Sequence, residues 1–444
     1  MAINPFFLFF AGFLLALLGK KAFGRWFNPV SFYSIIWGGL LGMHELKLLR
    51  YTNLHMETWL LIFSSWGVFV LGGYTALLGW KAKGVADTTG ELKLDERSLA
   101  KAILVLCAIG SVGVVQHWLV LIRNFGSIST AIVLGSIVYS ARIQGELPGM
   151  VPYIADAVLA AVSLAGVYFA SRRRMNLIVI IPLILASLEA MAWMGRAKIL
   201  IAGVLIFSSF SFSVMGYNSI KYSKRAKWGI VVSLALILAL IALSSEGIRS
   251  IRKTNEKFYA ASQTLNKLRG VPFLTPSIYV YMSGHVAVLD KFLQYEMEGN
   301  GEKIVFGENT LAPIYRMVSR LIGEGDYVPA YQRFYRVPID LNTGTYLREL
   351  YVDFGEAGAL IFPYILGFVT SLLYLNNRRS PRLWKIVLLS HLFVIIGFSF
   401  AMQAMRWGYW WDSVIISLIV ANILEKRLVS PASSKSSNAV TNEV

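Results

Sequence analysis

Long apolar runs separated by short polar connections make up most of this chain. A transmembrane helix requires about 20 mostly apolar residues, since each residue adds about 1.5 Å along the axis. The sequence contains eleven runs that meet this requirement, at residues 3–19, 28–44, 57–79, 100–122, 151–170, 176–194, 198–216, 228–245, 355–375, 384–405 and 408–424. The pattern predicts an all-α polytopic membrane protein with about 11 transmembrane helices.

Two polar regions interrupt these runs. Residues 123–150 contain several glycines and a proline, which predicts a short helix on the membrane surface rather than a full span. The loop 246–354 is too long for a simple connection and should fold on the membrane surface. The chain therefore divides into eight spans in residues 1–245, the loop 246–354, three spans in residues 355–427, and a disordered tail in residues 428–444.

Two amphipathic helices are predicted within the loop. Thr275 and Pro276 begin the first helix, because a threonine cap followed by proline is a favoured start. Its apolar face comprises Ile278, Met282, His285, Leu289 and Phe292. The second helix begins at Asn309-Thr310, with an inner stripe of Leu311, Ile314, Tyr315, Val318 and Leu321. These faces predict a helical layer that covers the spans.

Basic residues fix the expected orientation. The chain has 42 Lys and Arg against 25 Asp and Glu, a net charge of +17. Just over half of the cations lie in clusters between spans, which is typical of cytoplasmic connections and not of nucleic-acid binding. The inward connections are then Lys20–Arg25, Lys81–Lys101, Arg172–Arg174, Lys221–Lys227, Arg378–Lys385 and the tail from Lys426. The loop 246–354 and the N-terminus should face outward, and the C-terminus should face the cytoplasm.

The stretch Leu341–Leu375 joins a polar, aromatic segment directly to a membrane span. Because Arg378 and Arg379 close the far end of this span, Asn342–Asp353 should face outward. Aromatic, charged and amide groups in this segment suit sugar binding and acid–base chemistry. The candidate residues are Asn342, Thr343, Tyr346, Arg348, Glu349, Tyr351 and Asp353.

Charged residues beside the hydrocarbon form a second set of candidates. Arg196 and Lys198 lie in a tight turn, and Glu189 lies seven residues before Arg196, so a continuous helix would place Glu189 and Arg196 on one face. Arg249 and Arg252 follow the span that ends at residue 245, share a helical face and could grip one phosphate group. The alternative for these arginines is simple contact with lipid headgroups.

Other chemistry has little support in the sequence. No phosphate-binding glycine loop and no metal-ligand spacing of His, Asp and Glu is present. His117, His285 and His391 are predicted to be packed side chains. The single cysteine, Cys107, excludes a disulfide framework within the chain.

Four segments resemble the O-antigen polymerases, the Wzy-type enzymes that polymerise oligosaccharide repeat units of bacterial surface polysaccharides. They are Asn342–Gly358, Tyr279–Gly284 with the following Leu289-Asp290 and Phe292-Leu293, Phe306–Pro313, and the turn Gly195-Arg196. The family also carries one large periplasmic loop late in the chain. The turn departs from the family pattern, since Met194-Gly195 precede the arginine here where Gly-Ser is common.

The resemblance implies a GT-C-like glycosyltransferase in the bacterial inner membrane, with the loop in the periplasm. The substrates would be undecaprenyl-pyrophosphate-linked oligosaccharides, both donor and acceptor, and no cofactor or metal would be required. A chain-length regulator and a flippase are the expected membrane partners, and no nucleic acid is involved. Arg196, Arg249 and Arg252 would stabilise the leaving pyrophosphate, helped by Arg348. Asp353, or else Glu189, would act as the base. Substrate binding would involve Lys198, Asn342, Thr343, Tyr346, Arg348 and Tyr351.

Two other functions remain open from the sequence. An O-antigen ligase would share the fold and the donor but transfer the glycan to lipid A core, and its family depends on a loop histidine, for which His285 is the candidate here. A flippase or transporter of lipid-linked sugars should show charges midway through several spans and two related halves. Neither feature is visible in the sequence.

Overall fold

The computed structural model describes residues 3–82, 91–92, 94–143, 147, 151, 153–216, 224–251, 263, 276–300, 304–323 and 332–429. The described chain is about 80% helical. Its helices are α1 (Pro5–Phe23), α2 (Pro29–Glu45), α3 (Met56–Ala82), α4 (Glu96–Phe125), α5 (Ile128–Val133), α6 (Gly135–Ile143), α7 (Ala157–Arg172), α8 (Leu177–Ala192), α9 (Ala197–Gly216), α10 (Lys224–Ile251), α11 (Pro276–Tyr295), α12 (Ala312–Leu321), α13 (Thr345–Arg379), α14 (Leu383–Phe398) and α15 (Gly408–Val429).

Every predicted span overlaps one of these helices. Within the described residues, six helical segments are long and apolar enough to cross a membrane: Pro5–Phe23, Met56–Ala82, Glu96–Phe125, Ala197–Gly216, Ile230–Ile248 and Thr345–Arg379. Three shorter apolar helices are Ala157–Arg172, Leu177–Ala192 and Leu383–Phe398. The prediction of an all-α membrane protein is thereby confirmed, while the number of eleven spans stays a prediction.

Helix α7 is enclosed by neighbouring helices. Every residue from Ala157 to Ala170 is buried, and α7 packs against α4, α8, α9 and α15. Its side chains are mostly small and apolar on all sides, so neighbouring helices can enclose it without burying a polar face. Its start, beside Asp156, lies next to charged residues of α8 and α9.

Helices α3 and α13 are in close backbone contact. A Cβ atom at Gly72 of α3 would collide with the Tyr364 carbonyl oxygen, and one at Gly367 of α13 would collide with that of Phe69. Glycine therefore allows the two backbones to approach closely, as is common where membrane helices pack. This contact fixes the spanning part of α13 against the rest of the protein.

Helix α13 bends sharply at Gly355. This residue has φ 68° and ψ −165°, a conformation open almost only to glycine. The break divides α13 into a short segment, Thr345–Phe354, and a longer span. The sequence placed the start of the span at the break itself, whereas the helix begins ten residues earlier, at Thr345.

Residues 276–341, as far as they are described, form a layer at one end of the helices, and we call this layer the loop domain. It contains α11, a π-helical turn (Glu296–Asn300), α12 and a hairpin of β1 (Tyr335–Arg336) and β2 (Asp340–Leu341). Of the predicted apolar face of α11, His285, Leu289 and Phe292 are buried, whereas Ile278 and Met282 are only half-buried. Helix α11 packs against α2, α3 and α13.

Helix α12 differs from its prediction. It begins at Ala312 after turns over residues 306–311, and its apolar stripe is exposed: Ile314 is 42%, Val318 46% and Leu321 78% accessible. Ala312 and Ser319 face the protein instead. The inner stripe was therefore wrong. Acyl chains are as apolar as a protein core, so a membrane protein gains little by turning such a stripe inward.

The predicted surface helix in residues 123–150 is present as two short helices, α5 and α6. Ala131 and Val138 of these helices pack with Ala192 and Met194 at the end of α8. Ile251, the last residue of α10, joins the same cluster and lies against Gly135. The ends of α4, α8 and α10 and the helices α5 and α6 thus meet in one place.

Candidate functional site

The turn 193–196 connects α8 to α9 and carries Arg196. Helix α8 ends at Ala192, Met194 has φ 50°, and the Gly195 N–H donates to the Ala190 carbonyl at 3.0 Å. Because the helix stops before Arg196, Glu189 and Arg196 do not share one helical face. That prediction was wrong, since the predicted turn already begins at Trp193, before Arg196.

Glu189 pairs with Lys198 instead. The Lys198 Nζ lies 3.0 Å from Glu189 Oε1 and 2.9 Å from Asp156 Oδ1, and all three side chains are buried. His117 Nδ1 lies 2.8 Å from Glu189 Oε1, and the Trp193 Nε1–H also donates to this carboxylate. Lys198 and Glu189 therefore join α7, α8 and α9 and do not face an open surface. His117 is packed as predicted, but as a partner of Glu189.

Arg196 connects the turn to the loop domain. Its guanidinium carbon lies 4.0 Å from the centre of the Tyr281 ring on α11, a geometry typical of a cation–π contact. The Arg196 side chain is half-buried. Arg196 thus lies at the junction between the membrane helices and the loop domain, where a group approaching between the two would meet it.

Arg142 of α6 is a candidate that the sequence analysis missed. Its guanidinium carbon lies 4.7 Å from the centre of the Trp193 ring. Its three nitrogen atoms are buried and have no hydrogen-bond partner among the described residues. The only sequence signal was its spacing of four residues from Val138, which places both on one helical face.

Two of the predicted arginines are only partly described. Arg249 lies on α10, two residues before its end, but its side chain and the whole of Arg252 lie outside the described residues. The contact of Ile251 with Gly135 nevertheless brings the end of α10 to the start of α6. The backbone at Arg249 therefore approaches the same cluster as α6 and the turn 193–196.

Arg196 contacts Tyr281 near the start of α11, and Arg348 contacts Phe292 near the end of that helix. The Arg348 Nη1 donates to the carbonyls of Asn342 at 2.9 Å and Arg333 at 3.2 Å. Its guanidinium carbon lies 5.3 Å from the centre of the Phe292 ring. Tyr281 and Phe292 are eleven residues apart, so they share one face of α11 about 16 Å apart along the axis. The buried Arg348 orders the Asn342 backbone.

The two predicted aromatic residues have different environments. Tyr346 is fully buried, and its hydroxyl lies 2.8 Å from that of Tyr33 on α2. Tyr351 is half-buried, with its ring 5.8 Å from Phe292, edge to face. The predicted glycan contact therefore fits Tyr351, whereas Tyr346 instead fastens α13 to α2.

The Asp353 carboxylate accepts three hydrogen bonds from the turn before α12. The donors are the backbone N–H groups of Asn309 at 2.9 Å and Thr310 at 2.7 Å, and the Asn309 Nδ2 at 3.0 Å. Asp353 is fully buried. This geometry favours the positioning of the turn before α12 over the predicted role as a base.

A buried ion pair adjoins Asp353 and was also missed. Arg406, in the 3₁₀ turn Ala404–Arg406, lies 3.3 Å from the Glu349 Oε1 and donates to the Asn309 Oδ1 at 2.6 Å. The backbone N–H of Gln403 also donates to Glu349. Arg406 looked like part of a short connection between spans, because nothing in the sequence links it to Glu349.

Two histidines lie where the loop domain meets the rest of the protein. His285 Nδ1 lies 2.9 Å from the Thr343 carbonyl, Nε2 has no hydrogen-bond partner among the described residues, and burial lowers the pKa of this imidazole. His55 precedes α3, and its Nδ1 lies 3.1 Å from the buried Asp290 carboxylate, while about half of the side chain is exposed. The sequence analysis did not single out His55, and 235 residues separate it from Asp290.

Two arginines are placed at the turn 193–196. Among the described residues, no group of three or more His, Cys, Asp and Glu side chains could hold a metal ion. Arg142 contacts the Trp193 ring at the start of this turn and Arg196 ends the turn, an arrangement of cations that suits the binding of anionic oxygens. No family model, curated protein or solved structure matches this chain. Its function is therefore argued from this geometry and from the sequence resemblance.

Proposed function

We propose that the chain is a metal-independent membrane glycosyltransferase that polymerises undecaprenyl-pyrophosphate-linked oligosaccharide repeat units. The reaction would take place at the periplasmic face of the inner membrane, as part of O-antigen or related polysaccharide synthesis. The loop domain would then face the periplasm, and the donor and acceptor would both be lipid-linked. A flippase and a chain-length regulator would be neighbours in the same membrane.

One observation carries the proposal: the four segments that resemble the polymerases contact one another. Arg196, from the turn, lies on the Tyr281 ring of the second segment. Phe292, which follows that segment, contacts Tyr351 of the first. Asp353 of the first segment holds Asn309 of the third. Segments that are up to about 160 residues apart in sequence thus form one continuous region, as expected if they serve one reaction.

The chemistry needs stabilisation of a departing lipid pyrophosphate. Negative charge develops on this group as the glycosidic bond breaks, and fixed cations aimed at it lower the barrier. We assign this role to Arg196 and Arg142, with Arg249 near the end of α10 and with Arg252, which lies outside the described residues. The acceptor hydroxyl then attacks the anomeric carbon, and its proton passes to solvent or to a nearby base.

The carboxylates would contribute less than the sequence analysis expected. Asp353 and Glu189 are buried and each accepts hydrogen bonds from at least two protein donors, so taking a proton from substrate would compete with these bonds. Both residues would position cationic and backbone groups. Catalysis would depend mainly on the arginines.

An O-antigen ligase is the second candidate, because His285 has a nitrogen without a hydrogen-bond partner among the described residues. The His285 Nδ1–H can donate a hydrogen bond to the Thr343 carbonyl. In this tautomer Nε2 carries no proton and can accept one. The His285 side chain is however only 3% exposed. A glycan would reach it only after movement of the loop domain, so polymerase remains the favoured function.

Lipopolysaccharide banding of a deletion strain tests the proposal. Loss of the ladder with one retained repeat unit supports a polymerase. Loss of all O-antigen, with accumulation of lipid-linked polymer, supports a ligase instead. An unchanged ladder would overturn both functions. Complementation with the wild-type gene and with Arg196→Ala, at equal protein level, assigns the phenotype to the proposed site.

A further inference from the structure

Arg142 presents hydrogen-bond donors that no described protein group uses. The Nε, Nη1 and Nη2 atoms are all buried and without a hydrogen-bond partner among the described residues. A guanidinium carries five N–H donors, and burying such donors unsatisfied is costly. Native proteins rarely leave a charged group in this condition unless an ion, water or ligand completes it.

The position of this guanidinium is fixed by its surroundings. Val138, one turn earlier on α6, is fully buried against the end of α8. The Trp193 ring covers the guanidinium at 4.7 Å, and the Trp193 Nε1–H is itself held by Glu189. Stacking on a ring occupies the face of a guanidinium and leaves its in-plane donors for a ligand.

The charge of Arg142 persists at neutral pH. Burial lowers the pKa of the Arg142 guanidinium to about 10, and the Glu189 carboxylate opposes this shift. Glu189 itself is occupied, since it accepts hydrogen bonds from Trp193 and Lys198 and contacts His117. Acceptor oxygens for Arg142 must therefore come from another source, and an anion would also balance its charge.

The location favours a ligand that resides in the membrane. Exposed apolar side chains of the surrounding short helices, Ile128 at 47%, Val133 at 67% and Ile137 at 56%, show a surface suited to acyl chains. Arg142 lies on the other side of α6, next to the turn that carries Arg196. A phosphate group at the level of lipid headgroups would reach the buried Arg142 nitrogens once the groups that cover them move aside, while its hydrocarbon tail stays in the bilayer.

We propose that Arg142, stacked on Trp193, binds a phosphate group of a membrane-resident ligand through its forked donors. Planar, two-pronged binding of phosphate oxygens is the geometry that arginine provides and lysine does not. The identification of this ligand as a polyprenyl pyrophosphate rests on the proposed function. The alternative source of the same chemistry is an anionic phospholipid headgroup.

Equilibrium binding to the full-length protein in nanodiscs of neutral lipid tests this site. The probes are undecaprenyl pyrophosphate and, separately, phosphatidylglycerol. Arg142→Gln should weaken binding of the pyrophosphate lipid by about tenfold or more, since it removes charge-assisted hydrogen bonds. Arg142→Lys should recover only part of the loss. The matched control is Arg123→Gln, which changes an exposed arginine at the end of α4.

The outcomes distinguish a polyprenyl pyrophosphate from a phospholipid headgroup as the ligand. They also distinguish the Arg142 phosphate site from the polymerase function. A loss seen only with phosphatidylglycerol keeps the phosphate site and makes the phospholipid its occupant. Unchanged binding of both probes to Arg142→Gln, or an equal loss in Arg123→Gln, overturns the site. Should Arg142→Gln not fold, wild-type affinity of Arg142→Lys for both probes overturns it. Since binding needs no turnover, an intact banding pattern in the deletion strain would refute the polymerase without refuting this site.

Discussion

Asp353 and Asn309 are joined by two hydrogen bonds, from the Asn309 backbone N–H at 2.9 Å and from its side-chain nitrogen at 3.0 Å. The first residue lies on α13 beside the Gly355 break, and the second lies in the turn before α12. A residue predicted to take a proton from substrate is thus the anchor of a turn. This relationship changes what its substitution should do.

Asp353→Asn should act through stability. The amide replaces one accepting oxygen with a donor that would face a backbone N–H, at a cost of about 1–3 kcal/mol. We expect a lower thermal midpoint and a matching loss of active protein, measured by unfolding in detergent and by banding. The control Glu356→Gln changes an exposed carboxylate on α13 and should alter neither. A wild-type midpoint with a large fall in turnover would restore the role of a base.

Arg406→Gln should destabilise the protein strongly. It leaves the Glu349 carboxylate buried without its cationic partner, and breaking a buried ion pair in this way costs about 3–5 kcal/mol. The double variant Glu349→Gln with Arg406→Gln should recover part of the lost stability, because no charge is then left alone. Thermal unfolding of the wild type and these two variants measures this difference. A double variant less stable than Arg406→Gln would contradict the pairing.

Arg196→Lys should lose most polymerisation at an unchanged protein level. Lysine keeps the charge but cannot supply a planar fork to a pyrophosphate. Tyr281→Phe keeps the ring beneath the cation and serves as the control, with activity expected near that of the wild type. In vitro polymerisation of lipid-linked repeat units gives the measurement. Full activity of Arg196→Lys would reduce the role of Arg196 to simple charge or contact with headgroups.

Gly355→Ala should destabilise α13 by about 1–3 kcal/mol, since an alanine is strained at the φ and ψ of this residue. The nearest atom to an added Cβ, Ile304 Cδ1, is 3.6 Å away, so backbone strain rather than collision causes the effect. The control is Gly67→Ala in α3, where an added Cβ meets nothing within 4 Å. Equal thermal midpoints for the two variants would contradict the strain.

A spin label at Leu321 of α12 should report a lipid environment. In a Cys107→Ser background, collisions with dissolved oxygen should exceed those with a water-soluble nickel complex, because the apolar stripe faces outward from the protein. A label at Arg336 of β1, which is exposed in the loop domain, provides the aqueous reference. A preference for nickel at Leu321 would place the stripe in water.

Local patterns predicted the helices and their faces, whereas contacts between distant residues required the structure. The α11 face was predictable because its apolar positions recur at the helical period. The pair His55–Asp290 was not, since no period links residues 235 positions apart. The tight turn at Arg196 was predicted, but the end of α8 at Ala192 was not, because it depends on backbone conformation, which small residues leave open. The α12 stripe was misassigned because amphipathicity does not say whether the apolar face meets protein or acyl chains.

Under the proposed function, the exposed apolar stripe of α12 would also determine the route by which a substrate enters. Phe354, 39% exposed, contacts the turn at Gly307, and Ile361 and Ile365 continue the exposed apolar surface along α13. This exposed apolar surface runs from the spanning part of α13 to the loop domain. In the proposed reaction, a lipid-linked sugar would enter laterally, with its hydrocarbon tail in the bilayer and its sugar in the aqueous phase throughout.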